Sequence, residues 1–257
     1  LLNDARKYCF VFEDPGRASV IGGLSRAKKR SVMSALANLS KYLGVYDYWK
    51  AVARNSGLRW EKRPAIETVL DILNSDLDTL EEWLLHECRI LPKEHATVLG
   101  FTAVTGLRPS EACMSALLIS ELTEEDRLDQ YLNAELMMLE HFRYPKLFLR
   151  NVKNCYISFV PDEMLDLIKT VRPQITYTAL KRALQRRKQR IRVKDMRHLY
   201  ATKLREHLPR EVIDLLQGRV GQSIFLRHYY KPYLRKIQRK VFKAISPLTN
   251  DLLATLT

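Results

Sequence analysis

Residues 105–111 read TGLRPSE, and this stretch decides the fold of the chain. It separates two segments with helical spacing of apolar residues, 95–105 and 110–118, so it predicts a tight connection between two helices. The surrounding sequence is therefore expected to be mainly helical. Further helical patterns lie at residues 66–73 and at residues 77–88, the second of them capped by Asp76 or Asp78.

One segment departs from the helical pattern. Residues 146–160 contain two apolar runs, 147–149 and 155–160, on either side of Lys153-Asn154. Runs rich in β-branched and aromatic residues around a short polar turn predict a β-hairpin, and Pro161 would begin the next helix. The predicted fold class is mainly α with a small antiparallel β-sheet.

The first part of the chain forms a separate helical region. After an irregular start, residues 26–53 show roughly helical spacing, and the sequence EKRP at residues 61–64 breaks the periodicity. We place a domain boundary there, which gives a helical domain at residues 1–63 and a second domain at residues 64–257. Because the chain begins with Leu1 and not with Met, the first domain is treated as open to truncation at its N-terminus.

The charge of the chain indicates a polyanionic partner. Lys and Arg number 43 against 29 Asp and Glu, which gives a net charge of +14. Nucleic acid is the commonest partner of such a protein, because Lys and Arg displace counterions from phosphate. The sequence has neither an apolar run of the ~18 residues that span a bilayer nor a signal peptide, so a cytoplasmic, nucleoid-associated location is expected. The four cysteines lie far apart without zinc-ligand spacing, and we expect buried free thiols.

Two clusters of basic residues are candidate DNA contacts. Between Lys181 and Lys194, eight of fourteen residues are basic. In the first domain, basic residues alternate with Tyr and Trp, a pattern typical of a DNA-binding face or of a solvated helical hairpin. The candidate DNA-binding residues are Lys28, Lys29, Arg30, Lys181, Arg182, Arg186, Arg187, Lys188 and Arg190.

Four short strings in a fixed order carry the strongest signal. They are TGLRPSE at residues 105–111, Lys153 in the predicted hairpin, KDMRH at residues 194–198, and QGR at residues 217–219 followed by RHYY at residues 227–230. Together, over roughly residues 65–240, they resemble the boxes of the tyrosine recombinases of the phage-integrase superfamily. Lys194 stands where the commoner bacterial members have His, and Arg219 where they have His or Trp. These two differences are similar to the integrases of archaeal viruses and plasmids.

The resemblance implies a mechanism and a set of catalytic roles. In these enzymes a tyrosine hydroxyl attacks a DNA phosphodiester and forms a 3′-phosphotyrosyl link, without a metal, ATP or another cofactor. Fixed cations stabilise the charge that develops on the phosphoryl oxygens. By position, Arg108 and Arg197 would clamp the phosphate, Lys194 and Arg219 would donate to its oxygens, Lys153 or alternatively Lys146 would protonate the leaving 5′-oxygen, and Glu111 and His198 would support the arginines, His198 as a packed, hydrogen-bonded residue.

Two adjacent tyrosines compete for the role of nucleophile. Tyr229 lies ten residues after Arg219, and Tyr230 lies eleven after it. Neighbours on a helix point about 100° apart, so only one of them faces the phosphate. The family interval and the preceding Arg227-His228 favour Tyr229, with Tyr230 as the alternative.

The resemblance also implies a function and partners. It indicates a two-domain recombinase that integrates or excises a mobile element at a double-stranded DNA attachment site, with a homotetramer on DNA and a monomer when free. No membrane and no small-molecule substrate is expected. A type IB topoisomerase and a non-catalytic DNA-binding protein are the alternatives. The basic amphipathic segment 234–245 would dock on a neighbouring protomer, as in the family, or pack on its own domain.

Overall fold

The computed structural model of the chain describes residues 1–61, 64–73, 76–150, 154–186, 191–219 and 233–257, and for residues 68 and 71–73 the backbone alone. It consists of two compact units, Leu1–Ser75 and Asp76–Thr257. The division lies at residue 75, whereas the sequence placed it near residue 63. An ion pair between Glu67 and Arg26 ties the segment after residue 63 to the first unit. The functional roles assigned to the two parts stay predictions.

The first unit is helical from its start, so the irregular start expected from the sequence is wrong. Its helices are α1 Leu2–Tyr8, α2 Ser19–Gly22, α3 Arg26–Tyr42, α4 Tyr46–Asn55 and α5 Ala65–Leu73, with 3₁₀ turns at Cys9–Phe12 and Pro15–Ala18. The pattern over residues 26–53 is two helices because Gly44, at φ +73°, ends the first of them. Val11, Ile21 and Leu36 are fully buried at the centre of this unit.

The second unit carries the four strings of the sequence analysis. Its helices are α6 Leu77–Ile90, α7 Lys93–Thr105, α8 Pro109–Glu124, α9 Pro145–Phe148, α10 Asp162–Val171, α11 Tyr177–Gln185, α12 Met196–Arg205, α13 Arg210–Leu216 and α14 Leu234–Leu256. The helices predicted on either side of residues 105–111 are confirmed as α7 and α8. Asp76 caps α6 by accepting from the backbone N–H groups of Asp78 and Thr79, as one of the two predicted caps.

The small antiparallel sheet is confirmed, but the predicted hairpin is misplaced. Within the described residues, its strands are β1 Leu132–Asn133, β2 Met138–Leu139 and β3 Ser158–Phe159, with β2 in the centre. Residues 147–149 do not form the first strand, because Pro145 occupies the first position of a helical turn, a place that its fixed φ favours. A single backbone hydrogen bond, from Cys155 N to Phe148 O at 3.1 Å, joins the two segments expected to pair.

The last helix packs on its own unit. α14 lies against α6, α7 and α12, and its buried residues include Val241, Ile245, Leu248 and Leu252. This is the second of the two arrangements that the sequence left open, and it makes α14 part of the core. Every helix in the described ranges is too short or too polar to cross a membrane.

Candidate active site

A glycine turn places Arg108 at the start of α8. α7 ends at Gly106, which has φ +65°, a left-handed conformation that side chains disfavour. A β-carbon there would also lie 2.1 Å from the ring of buried Tyr200. Pro109 at the first position of α8 then restarts the helix, so Arg108 is held at the N-terminal boundary between two rigid helices.

Glu111 fixes the orientation of Arg108. One carboxylate oxygen of Glu111 accepts from the backbone N–H of Arg108 at 3.0 Å, and the other accepts from Nη1 of the Arg108 side chain at 2.7 Å. The Glu111 side chain is fully buried, whereas that of Arg108 is 21% exposed. The carboxylate therefore caps the helix and aims the arginine at once.

Arg197, at the start of α12, ties two distant turns together. Its Nη1 donates to Gly106 O at 2.9 Å, and its Nη2 donates to Gln217 O. The buried Gln217 side chain returns a hydrogen bond from Nε2 to Arg197 O at 3.1 Å. Because Gly106 lies two residues before Arg108 and Gln217 two before Arg219, Arg197 fixes the backbone beside both of the other arginines.

We call Arg108, Glu111, Arg197 and Arg219 the arginine cluster. A backbone carbonyl after α9, that of Asn154, also belongs to its hydrogen-bond network. Asn154 O accepts from Arg108 Nη1 at 3.1 Å. Gly218 packs directly on the same carbonyl: it has φ +67°, and a β-carbon there would lie 1.8 Å from Asn154 O. The turn before Arg219 and the segment after residue 153 thus meet beside Arg108.

The Asn154 side chain closes the loop in which it lies. Its Oδ1 accepts from Arg150 N at 2.7 Å, and its Nδ2 donates to the Tyr156 hydroxyl at 3.0 Å. The predicted general acid, Lys153, and its neighbours 151–152 lie outside the described residues. The described residues on either side of them, Arg150 and Asn154, are joined by the first of these two hydrogen bonds.

The remaining predicted cations are more exposed. Arg219 reaches Asp214 Oδ1 at 3.5 Å and has a 59% exposed side chain. Lys194 is exposed in the 3₁₀ turn Val193–Asp195, just before Arg197, and Lys146 is exposed on α9. His198, expected to be packed, is exposed instead. Tyr229 and Tyr230 lie outside the described residues.

The electrostatics of the cluster favour an anion. Burial, and then the nearby charge of Arg108, lowers the pKa of Arg197 to about 10, while Glu111 opposes this shift. The single buried carboxylate thus leaves an excess of positive charge among the arginines. A bound phosphate group would offset that excess, because it places negative charge beside guanidinium groups that are partly shielded from water.

Cys155 fills the space beside these charges. Its thiol is buried, and burial raises its pKa to about 12, with Glu111 adding to the shift and the two arginines opposing it. The thiol is therefore neutral at physiological pH. Cys88 and Cys113 are also buried, as predicted, but Cys9 is exposed, and its Sγ donates to Arg6 O at 3.3 Å.

A buried polar chain braces α8 against the sheet. The Tyr131 hydroxyl lies 2.9 Å from the Ser115 hydroxyl and 2.6 Å from His141 Nδ1, and His141 Nε2 lies 2.9 Å from the Ser158 hydroxyl. Burial lowers the pKa of His141 to about 3 and raises the pKa of Tyr131 well above its ordinary value. Both side chains are neutral at pH 7, so each hydrogen bond has one donor and one acceptor.

Comparison with known families matches this part of the chain. The model of the archaeal phage integrase family matches residues 96–245, more than half of the 257 residues. The chain belongs to the archaeal phage integrase family. Comparison with curated proteins and with solved structures gave no match. The matched region of the integrase family covers Arg108, Lys194, Arg197 and Arg219, together with Tyr229.

The basic residues expected to contact DNA fall into three groups. Lys181, Arg182 and Arg186 are exposed on and after α11, and Arg30 is exposed on α3. Lys28 and Lys29 form ion pairs with Asp4 and Glu61 within the first unit, and their contact with DNA stays a prediction. Arg187, Lys188 and Arg190 lie outside the described residues. Among the described residues, no group of three or more His, Cys, Asp or Glu is placed to hold a metal ion.

Two residues that contact the arginine cluster were not selected from the sequence. Asn154 acts mainly through its carbonyl, and backbone atoms leave no signature in residue type. Gln217 was noted only as part of a string, although its buried side chain and its carbonyl both contact Arg197. The string QGR marked this region by resemblance alone, and the structure adds the close approach of Gly218 to Asn154.

Proposed function

We propose that this integrase-family chain is a site-specific DNA recombinase that cleaves and rejoins duplex DNA through a covalent 3′-phosphotyrosyl intermediate. The observation that carries the proposal is the interlocked pair Arg108 and Arg197. The two residues lie 89 positions apart in the chain, yet both side chains are tied to the turns that flank the cluster. A structural ion pair would need one arginine and one carboxylate, whereas this arrangement gathers further cations around a single buried Glu111.

The proposed reaction is phosphoryl transfer to Tyr229. The Tyr229 hydroxyl oxygen forms a bond to phosphorus and gives up its proton to water, while the bond from phosphorus to the 5′-oxygen breaks. Lys153 protonates the departing 5′-oxygen, and Lys146 is the alternative donor. Rejoining runs the steps in reverse with a 5′-hydroxyl of the partner strand, so the bond energy is kept and no ATP is used.

The cations supply the stabilisation that metal ions give in other phosphoryl-transfer sites. Arg108 and Arg197 would hold two non-bridging oxygens, because a guanidinium offers planar, paired donors. Arg219 and Lys194, which are more exposed, would complete their contacts when DNA covers the site. Since Arg108 and Arg197 are held by hydrogen bonds within the protein before the substrate arrives, these two donors need little reorganisation in the transition state.

The rest of the chain would position the duplex. Residues 1–63 are proposed as a DNA-clamp domain, with exposed Arg30 as one contact, and Lys181, Arg182 and Arg186 as contacts from the catalytic part. Such contacts fix the register on the phosphate backbone without reading sequence. Integration or excision would follow by strand exchange in a tetramer on the attachment site.

The experiment that tests the proposal uses a nicked duplex that traps covalent adducts. Because the attachment site is unidentified, the probe is a pool of randomised nicked duplexes, with adducts recovered under denaturing conditions and the modified tryptic peptide mapped by mass. Wild type should carry DNA on Tyr229, Tyr229→Phe should carry none, and Tyr230→Phe should retain the adduct. A wild-type protein that binds duplex DNA yet never forms an adduct would overturn the catalytic proposal in favour of a DNA-binding protein.

A second measurement separates recombination from topoisomerase activity. Both reactions pass through the same adduct, but only recombination joins strands of two different duplexes. Sequences recovered from the adducts, built into two labelled duplexes, should therefore give Holliday junctions with wild type. Relaxation of supercoiled plasmid without any junction would favour the topoisomerase alternative.

A further inference from the structure

A strip of four cations runs along the first half of α14. Its members are exposed and spaced at i, i+3, i+4 and i+7, which places them on one helix face. The opposite face holds the buried Ile237, Val241 and Ile245. We call this strip the α14 cationic face; it consists of Lys236, Arg239, Lys240 and Lys243.

Folding does not explain this arrangement. Like charges at i, i+3 and i, i+4 destabilise a helix, and residues 234–245 contain no Asp or Glu to offset them. Cations are favourable near the C-terminus of a helix, where the backbone dipole is negative. In α14 they occupy the opposite end, and the last turn holds none.

The α14 cationic face is fixed next to the sheet. Arg235 pairs with Glu135 in the turn between β1 and β2, and Phe242 meets Phe159 of β3 with ring centroids 6.4 Å apart. Within the described part of the chain, the structure gives the four residues of the face no acidic partner. The four cations therefore lie on the exposed face of a helix whose other face is buried, and their charges are directed outward.

The face is also connected to the arginine cluster through a short piece of chain. Asn154, whose carbonyl contacts Arg108, lies five residues before Phe159. Five residues of extended chain span at most about 17 Å. The strip itself is about 10 Å long, because seven residues of α-helix rise by that amount.

We infer that the α14 cationic face binds the phosphate backbone of the duplex beside the cleaved bond. This inference rests on the proposed function, because it takes its ligand from the DNA that the arginine cluster would cleave. A strip of this length can reach phosphates on both sides of a minor groove, which is about 6 Å wide. The negative charges of the phosphates offset the repulsion among the four cations, which nothing within the helix segment 234–245 offsets. The contact adds affinity independent of base sequence.

The experiment compares two triple variants with equal loss of charge. The test variant is Arg239→Gln, Lys240→Gln and Lys243→Gln, since Gln keeps helix propensity. The control is Arg127→Gln, Lys169→Gln and Arg172→Gln, whose cations are paired with Glu125, Asp166 and Glu124 on the protein surface. Binding to a duplex oligonucleotide of random sequence is measured by fluorescence anisotropy over a series of salt concentrations.

The test variant should bind at least tenfold more weakly at low salt. The slope of log K against log salt should fall by about 0.9 for each phosphate that the variant no longer neutralises, so by about two to three, while the control keeps the wild-type slope. The melting temperature of the test variant should stay unchanged or rise, because repulsion within α14 is removed.

Two outcomes would overturn the inference. One is a wild-type slope in the test variant, and the other is an equal fall in the control. If the slope is unchanged and self-association in sedimentation is lost as well, the face belongs to a contact with a second copy of the chain. Adduct formation by wild type is scored separately, so the proposed function stands or falls on Tyr229 and not on this face.

Discussion

Gly218 and Asn154 meet so closely that no side chain fits between them. A β-carbon at residue 218 would lie 1.8 Å from Asn154 O, the same oxygen that accepts from Arg108 at 3.1 Å. The glycine is therefore the point at which the Arg219 turn and the loop after α9 are joined. Any displacement there moves two of the proposed catalytic groups, Arg108 and Arg219, at once.

The first prediction is that Gly218→Ala lowers the rate of adduct formation by about 10²-fold or more, the scale expected when a preorganised donor is displaced. Gly57→Ala is the matched control, because Gly57 has nearly the same conformation, φ +65°, but nothing within 4 Å of an added β-carbon. It separates the strain of a positive φ from the steric clash. A Gly218→Ala protein with wild-type single-turnover kinetics would show that the close approach to Asn154 is dispensable.

The second prediction concerns the buried carboxylate between the arginines. Glu111→Gln keeps an acceptor for Arg108 N–H. It removes the negative charge that offsets the positive charges of Arg108 and Arg197. The free energy of unfolding should fall by about 1–3 kcal/mol, and sulfate should restore stability more in this variant than in wild type. Glu140→Gln is the control, because Glu140 pairs with Arg143 at the same i,i+3 spacing outside the cluster. Equal stabilisation of both variants by sulfate in thermal melts would contradict an anion site at the arginines beside Glu111.

The third prediction tests Asn154 as a positioning residue. Asn154→Ala removes both side-chain bonds that close the loop but leaves the carbonyl that Arg108 contacts. We expect adduct formation to slow about tenfold, because a catalytic group that is slightly misplaced reacts more slowly, with duplex binding unchanged. Tyr156→Phe removes only the longer of the two bonds, at 3.0 Å, and should have a smaller effect. If both variants slow the reaction equally, the bond to Arg150 N has no role of its own.

Much of the fold around the site could be predicted because its signals are local. Glycine and proline punctuate residues 105–111, and the apolar spacing of the flanking helices depends on neighbours three and four positions away. The same reasoning failed at the sheet, whose strands are two residues long and carry no usable periodicity. It also failed at residues 145–148, where a proline-initiated helical turn has the composition of a strand.

The cluster itself was predicted by residue type and order, but its hydrogen bonds were not. Arginines at helix starts are visible in a sequence, whereas the bonds that hold them run to carbonyls of Gly106, Asn154 and Gln217. Every residue has a carbonyl, so the sequence cannot mark the ones that accept. The buried pair Tyr131 and His141 was missed for another reason: the strands β1 and β2, which bring the two residues together, are only two residues long and carry no periodic pattern.

The fourth prediction is a loss of stability in mild acid caused by His141. Its native pKa is about 3 against an ordinary value of 6.5, so below pH 6.5 the unfolded chain binds a proton that the native state excludes. The contribution of neutral His141 to the free energy of unfolding is therefore fully present above pH 6.5. It falls as the pH drops toward 3, by up to about 1.4 kcal/mol for each pH unit. Fluorescence of Trp83, in a protein with Trp49→Phe and Trp60→Phe, would report unfolding of the second unit alone.

The variant that isolates this effect is His141→Gln, which keeps an amide donor for Ser158 but does not titrate. Its stability at pH 7 should be lower than that of wild type, because the bond to Tyr131 is removed, yet its slope between pH 6 and pH 4.5 should be nearly flat. Carboxylates contribute little in that window, since they titrate mainly at lower pH. His86→Gln, at a side chain that is 60% exposed, should retain the wild-type slope. A wild-type slope in His141→Gln would instead place the acid sensitivity in another group of the second unit.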